Sequence, residues 1–437
     1  MTIASPPDLK PKNGALPTTK LPTAAAADTP QAGAAPASPA AATNAAPATE
    51  PVSRTIRLIT AMMKAHPGIS DLIFSPGKLP QIEVDGQLVE LPFSGMSKFS
   101  PDDTLAIARD LIADSAHHLK QLEQSGSADL SCGISGVGRF RVNVFRQRGT
   151  CAVVMRAIPQ KIPNFDDLGL PKVVQEIVHL RNGLVLMTGP TGSGKSSTLA
   201  AIVGKMNEER SIHILTIEDP IEFAHRHNKA TIHQRELHMD TPTFALALRA
   251  ALRQAPKVIL VGEMRDRETI EVALEAAETG HLVMSTLHTI DAAKTVERII
   301  GVFPLGEQQS IRVRLGKAFR FIISQRLLPR KGGRGRIAAL EVLKGTLRTR
   351  EYVEKGESEG KTLLDAMRDG NQDGMQFFDG EIERMIREDL IDFETGMSFA
   401  TNAGNLRLQL QDWLEESKRL RRAMPLQEQD SDLEIER

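Results

Sequence analysis

The stretch LVLMTGPTGSGKSSTLAAIVGKM at 184–206 decides the fold. Its centre, GPTGSGKS at 189–196, is a complete GxxxxGK[ST] phosphate-binding loop. At average residue frequencies a chain this long matches that pattern by chance only about 1–2% of the time. The context strengthens it. An unalternating apolar run, LVLMT, enters the loop, and the amphipathic run SSTLAAIVGKM leaves it, which is the strand–loop–helix order that phosphate binding requires. Gly189, Gly192 and Gly194 let backbone amides converge on phosphate oxygens. Pro190, Thr191 and Ser193 complete the loop, Lys195 brings charge to the β- and γ-phosphates, and Ser196 offers a hydroxyl to Mg²⁺. Ser197 places its amide in the first turn of the helix, facing the α-phosphate.

Similar apolar runs recur at 212–217 (IHILTI), 258–262 (VILVG) and 282–286 (LVMST), separated by segments of mostly helical pattern. Continuous runs between helices imply parallel strands covered on both faces, hence an α/β domain. Two of the runs end in acids. KVILVGE closes on Glu263, with Gly262 where a metal-holding Asp is usual, and TIEDPIE carries Glu218, Asp219 and Glu222. A carboxylate at the C-terminal end of a parallel strand sits on the edge where ligands bind. A helix N-cap is the alternative role for such acids. His281 and His288 flank LVMSTL, and either is a candidate γ-phosphate sensor. Glu222, His225, His227, His233 and His238 fit no common zinc spacing.

Upstream, residues 54–159 read as α+β. A helical pattern covers Thr55 to Ala65 and a second covers Asp102 to Gln124, with strands at 72–74 and 81–91, where Asp85-Gly86 marks a hairpin. Further strands are expected over 128–158, in which RFRVNVF puts Arg139, Arg141 and Asn143 on one face and Phe140, Val142 and Val144 on the other. Downstream, helices are expected over Ala292–Val302 and Gln308–Leu328, the latter with Arg312, Arg314, Lys317, Arg320 and Arg326 on its polar face, followed by a strand at 337–343.

Composition bounds the rest. With 54 Lys+Arg against 55 Asp+Glu, the net charge of −1 argues against coating nucleic acid or anionic membrane through bulk charge. Two cysteines, Cys132 and Cys151, exclude a disulfide scaffold and a zinc site of three or four thiolates. No apolar stretch approaches the roughly 18–20 residues that span a bilayer, so a cytoplasmic protein is expected. Residues 1–50 hold 16 Ala, 9 Pro and no aromatic residue, which predicts a disordered tail. The expected organisation is a tail at 1–52, an N-terminal domain at 53–159, an ATPase domain at 160–345, a helical region at 346–424 and an acidic frayed end at 425–437.

TGPTGSGKSSTLAAI, ILTIEDPIEF, VILVGEMRDRETI and TGHLVMSTLHTIDAAKTVERII, in that order, resemble the Walker A, Asp box, Walker B and His box of the bacterial type II secretion and type IV pilus ATPases. The resemblance covers about residues 54–343. It implies a PAS-like N-terminal domain joined to a RecA-like P-loop domain, with ATP and Mg²⁺ between them and six copies in a ring. It makes Glu263 the acid that polarises water, with Gly262-Glu263 as the family form. It also makes Glu218 a support for Mg²⁺ or water and His288 the γ-phosphate sensor, and it brings Arg139, Arg141 and Arg156 toward the phosphates.

Met264 in GEMRD, the run DAAKTVERIIGVFPLGEQQSIRVRL and the lack of cysteines after Cys151 resemble the pilus-retraction branch, whose assembly and secretion relatives carry a four-cysteine zinc motif. RQAPK before Walker B, and a degraded AIRNLIRE-like stretch at 347–370, depart from that branch. The implied function is an ATP-driven motor for retraction and twitching motility, stationed at the cytoplasmic face of the inner membrane. Its implied partners are an inner-membrane platform protein and a paralogous retraction ATPase, with no nucleic acid. Assembly or secretion ATPase is the alternative within the family. The basic run 312–326 motivates a nucleic-acid translocase, and an ATP-binding scaffold with little turnover is a third reading.

Overall fold

The computed structural model describes residues 53–84, 86–113, 115–159, 161–333 and 335–415. The expected tail at 1–52, the acidic end at 425–437 and the last part of the 346–424 region lie outside the described residues.

The N-terminal lobe begins with helix α1 (Arg54–Ala65), capped by the Ser53 hydroxyl, which accepts from the Ile56 amide. Strands β1 (Ile69–Phe74), β2 (Gln81–Val84) and β3 (Gln87–Glu90) follow, the last two pairing as a hairpin through Val84 and Gln87. The helix expected over Asp102–Gln124 is two helices, α2 (Pro101–Ile112) and α3 (Ala116–Ser125). The break has a backbone cause: Ala113 takes a positive φ of 49°, off the helical path, and a new helix starts after Ser115. Strands β4 (Ser127–Ile134), β5 (Gly138–Gln147) and β6 (Thr150–Ile158) complete a six-stranded antiparallel sheet in the order β3-β2-β1-β6-β5-β4. The alternation read in RFRVNVF holds: Phe140, Val142 and Val144 are fully buried with α1 and α2 residues such as Ile59, Met62 and Ile107. That leaves the arginine face of β5 pointing away from this core.

Short helices α4 (Phe165–Leu168) and α5 (Lys172–Gln175) lead into the second lobe. There β7 (Gly183–Thr188) feeds α6 (Lys195–Glu209), followed by β8 (His213–Glu218), β9 (Thr231–Glu236), α7 (Phe244–Ala251), β10 (Val258–Val261), α8 (Arg267–Glu278) and β11 (Leu282–Leu287). After α9 (Ala292–Gly301) and α10 (Leu305–Ala318) come β12 (Phe319–Pro329) and β13 (Arg336–Lys344). The seven strands run β13-β12-β7-β11-β10-β8-β9, all parallel except β13, and the arrangement is RecA-like. Both faces are covered as the unalternating runs required. Leu184 and Leu186 of β7 enter one apolar cluster, with α7, α8 and α10, while Val185 and Met187 enter another with α6.

Two strands escape the helical reading of the sequence. TIHQRE is the polar edge strand β9, and the second half of the helix expected over Gln308–Leu328 is β12. Phe319, Phe321, Ile322 and Ile323 are buried between β7 and β13, and a strand buries such a run on both faces at once. Arg320 and Arg326 therefore leave the basic helix face. Arg314 pairs with Glu278 at 2.8 Å, Arg312 and Arg320 donate to backbone carbonyls, and Arg326 donates to the Phe399 carbonyl. The continuous basic stripe that motivated nucleic-acid binding does not form.

The chain continues through α11 (Leu347–Lys355), α12 (Leu363–Asp369), α13 (Phe378–Arg387), α14 (Phe393–Phe399) and α15 (Ala403–Gln409). The last three cover the outer edge of the sheet, where Ile382, Met385 and Leu406 pack on Leu328 and Ala339. Arg326 stacks on Phe378, its guanidinium 3.7 Å from the ring centroid, and so ties β12 to these helices.

A buried polar chain runs through the sheet. Thr188 donates to Ser324 at 2.9 Å, and Glu341, only 4% exposed, accepts from the Ala292 amide at 2.8 Å. Burial pushes the Glu341 carboxyl up to about 7, helped by the charge of Asp291 and opposed by the Ala292 amide and Arg326. A carboxyl raised from 4.5 contributes fully to folding below that pH, and the contribution is lost as pH rises through about 7. Glu341→Gln keeps the acceptor and removes the titration. Its melting temperature is expected to vary less than that of the parent between about pH 5 and 8, with the variant more stable at the alkaline end by a few kcal/mol at most. Parallel melting curves for the two proteins in this range would reject the account.

Candidate active site

Parallel register builds the site. Thr188 of β7 pairs with Leu287 of β11, Val261 of β10 pairs with Ser285 of β11, and Val261 also pairs with Ile217 of β8. The four strands thus end together, and the residues just past them share one edge: the loop at 189–196, His288, Glu263 and Glu218.

The loop has the form the motif required. Gly189, Gly192 and Gly194 all have positive φ (141°, 78° and 88°). At Gly189 a Cβ would lie 2.4 Å from the Gln325 carbonyl oxygen, and at Gly194 it would lie 2.8 Å from Gln325 Nε2. Lys195 is buried, and its ammonium donates to the carbonyls of Gly189 and Pro190 at 2.8 and 2.9 Å. Burial lowers its pKa, while the nearby charges of Glu263 and Glu222 oppose the shift. Ser193 Oγ is buried without a hydrogen-bond partner. A bare glycine-lined cradle, a buried cation and an unpartnered hydroxyl fit an anionic phosphate chain. Ser196 and Ser197 lie in the first turn of α6. Beside the loop, Pro190, Thr191, Gly192 and Ser193 line a cavity of about 450 Å³ with Ile290, Leu327, Arg336 and Phe399.

Glu263 sits between Arg265 and His288. Its Oε2 pairs with Arg265 at 2.6 Å and its Oε1 lies 3.5 Å from His288 Nε2. Burial would raise its pKa, but the hydrogen bond and charge of Arg265, with His288, outweigh burial and hold the carboxyl below its ordinary value. Glu263 is thus a carboxylate at neutral pH, the form a base requires. Gly262 has a packing reason as well. Its amide donates to the Ile217 carbonyl at 2.7 Å, and a Cβ would lie 3.3 Å from that oxygen and 3.4 Å from Glu218 Cα. A side chain at 262 would ask the β8 backbone to give by a few tenths of an ångström.

Glu218 closes β8. Burial pushes its carboxyl up, against hydrogen bonds from Thr216 (2.6 Å), Gln234 (3.0 Å) and the Glu222 amide. Gln234, on the strand missed in the sequence, also donates to the Phe223 carbonyl and accepts from the His225 amide, bracing the whole 218–225 loop. His281 stands at the far end of β11, bonded to the Ala276 carbonyl, so of the two histidines only His288 reaches the acid. His233 bonds His213 at 2.9 Å and His238 stacks on His117, so the upstream histidines are spread over two places.

The three arginines diverge. Arg139 crosses to the second lobe and pairs with the nearly buried Glu236 at 2.5 Å, while also bonding Ser131. Arg141 lines a cleft of about 610 Å³ with Asp219, Glu236 and Arg265. Arg156 pairs with Asp71 of its own sheet at 2.9 Å. Among the described residues, none of the three has a hydrogen bond or ion pair to 189–197. Arg265, Gln234 and Glu236 were not singled out in the sequence. Arg265 was legible there, two residues past Glu263, whereas the other two depend on β9.

The family profile described as "Type II/IV secretion system protein" matches residues 110–373. The chain is 43% identical over 330 residues to the type IV pilus retraction ATPase PilT of Pseudomonas aeruginosa, covering 76% of this chain and 94% of that protein. It is 42% identical over 327 residues to a twitching motility protein of Neisseria gonorrhoeae, covering 75% and 86%. A crystal structure described as the pilus retraction motor PilT with bound ADP superposes with a TM-score of 0.71 at 41% identity, covering 79% of this chain and 97% of that one. With a family profile over more than half of its length and relatives at 42–43% identity along most of theirs, the chain belongs to the type II/IV secretion system ATPase family.

Proposed function

We propose that this chain is an ATPase that powers type IV pilus retraction, and with it twitching motility. The observation that carries the reading is Glu263, ionised between Arg265 and His288 at the same sheet edge as an intact phosphate loop. Loop residues 189–197 hold the phosphates, with Lys195 leaving the Gly189 and Pro190 carbonyls for phosphate oxygens. When bound, Mg²⁺ supplies charge neutralisation between the phosphates; the Ser196 hydroxyl would hold it and Glu218 would support it. Glu263 accepts a proton from the attacking water, and His288, at 3.5 Å, responds to the γ-phosphate beside it.

Six copies in a ring would work through the two lobes, 53–159 and 160–345. ATP and ADP move them if the two nucleotides prefer different lobe arrangements. Arg139 on Glu236 is the contact such a rotation remakes, and Arg141, already in the cleft, is the arginine best placed to approach a nucleotide. Force would pass to a platform protein in the inner membrane, with a paralogous ATPase as a further partner. The described helices include none long and apolar enough to cross a membrane, which suits work from the cytoplasmic face.

Glu263→Gln is expected to lower turnover by about 100-fold or more while ATP binding persists. Unchanged turnover would remove Glu263 from its role. Arg265→Ala removes the charge that holds Glu263 low, so the acid limb of the kcat–pH profile should move to higher pH; a fixed limb would sever that link. In cells, Lys195→Ala should leave excess surface pili. Bald cells would identify an assembly motor instead.

A further inference from the structure

We propose that Gln325 is a positioning residue that fixes the shape of the phosphate loop without touching the nucleotide. The inference rests on the nucleotide reading of that loop. Gln325 lies on β12, immediately past the point where β12 and β7 stop pairing at Ser324 and Thr188. It is 2% exposed, and it meets the loop at both ends. Its carbonyl oxygen occupies the space beside Gly189, and its side-chain amide nitrogen the space beside Gly194. Its Oε1 accepts from Thr198 Oγ1 at 2.8 Å, and Thr198 is fully buried on α6, three residues after Lys195.

The neighbours on β12 hold the elements on either side. Ser324 accepts from Thr188, the last residue before the loop, and Arg326 bonds the Phe399 carbonyl and stacks on Phe378 of the C-terminal helices. One side chain thus links the loop's floor to the helix whose first turn carries Lys195, Ser196 and Ser197. The loop glycines give no rigidity of their own, since glycine backbone loses more freedom on ordering than any other residue. A neutral amide suits the place: it supplies an acceptor to Thr198 without setting a negative charge next to bound phosphate, as Glu would.

Removing this brace loosens a site that binds ATP and ADP through the same amides. It leaves Glu263 and His288 in place. Nucleotide affinity should therefore fall while the chemical step stays nearly intact. In the purified full chain, Thr198→Val and Gln325→Met should each raise the ATP KM and weaken displacement of a fluorescent ADP about five- to tenfold, as expected for one lost buried hydrogen bond. In the same variants kcat should stay within about twofold. Thr198→Ser, which keeps the hydroxyl, should restore both readings, and the double variant should be no worse than the poorer single one.

Should Gln325→Met fail to fold, Thr198→Val tests the same bond from the other side. KM and ADP affinity unchanged in Thr198→Val, or lost equally in Thr198→Ser, would overturn the proposal. Lys195→Ala separates this from the reading beneath it. If ADP binding survives Lys195→Ala, the loop is not the phosphate site. If it is lost there yet intact in Thr198→Val, only the bracing role falls.

Discussion

The sheet edge that carries the site depends on how closely backbone can approach backbone at two glycines, Gly189 and Gly262. β12 lies against the phosphate loop so tightly that a side chain at Gly189 would overlap the Gln325 carbonyl, and β8 lies close to Gly262, where a Cβ would stand 3.3 Å from the Ile217 carbonyl oxygen. Sheet pairing sets these distances, since parallel strands in register end at the same level. The loop, Glu263 and His288 are neighbours because four strands stop together, and glycine lets the chain pass close at that edge.

Electrostatics then divides the labour among carboxylates on that sheet. Glu263 faces Arg265 and His288 and is held ionised. Glu218 is half-buried among neutral donors and pushed the other way. Glu341, deeper still, sits at about 7. Burial penalises the charge of all three glutamates, and only at Glu263 do the partners, Arg265 first, outweigh it. The two lobes also meet through an ion pair, Arg139–Glu236, in which a partly exposed guanidinium reaches a nearly buried carboxylate. Breaking such a pair costs more than breaking a surface bridge, because the buried charge is left without its partner.

Much of this was readable from residues alone. The loop, the strands carrying Glu218 and Glu263, and the inward face of Phe140, Val142 and Val144 follow from local pattern, and the structure keeps them. The misreadings share one cause. FRFIISQRLL at 319–328 has arginines at spacings that suit a helix face, and TIHQRE at 231–236 is too polar to announce a strand. Each became a strand because a neighbour offered an edge: β12 between β7 and β13, β9 beside β8. Residues that act through those strands, Gln325, Gln234 and Glu236, were invisible for the same reason.

The sequence by itself determined the phosphate loop, the acids that follow the core strands and the family, because each is a short string whose chemistry depends on adjacent residues. Tertiary structure decided which partners those groups keep. It set Glu263 between Arg265 and His288 and sent Arg139 across to Glu236 while Arg156 stayed with Asp71. It also brought Gln325 under a loop more than a hundred residues away in the chain. Such pairings depend on strand order and burial, and these are settled only when apolar faces from distant segments close on one another.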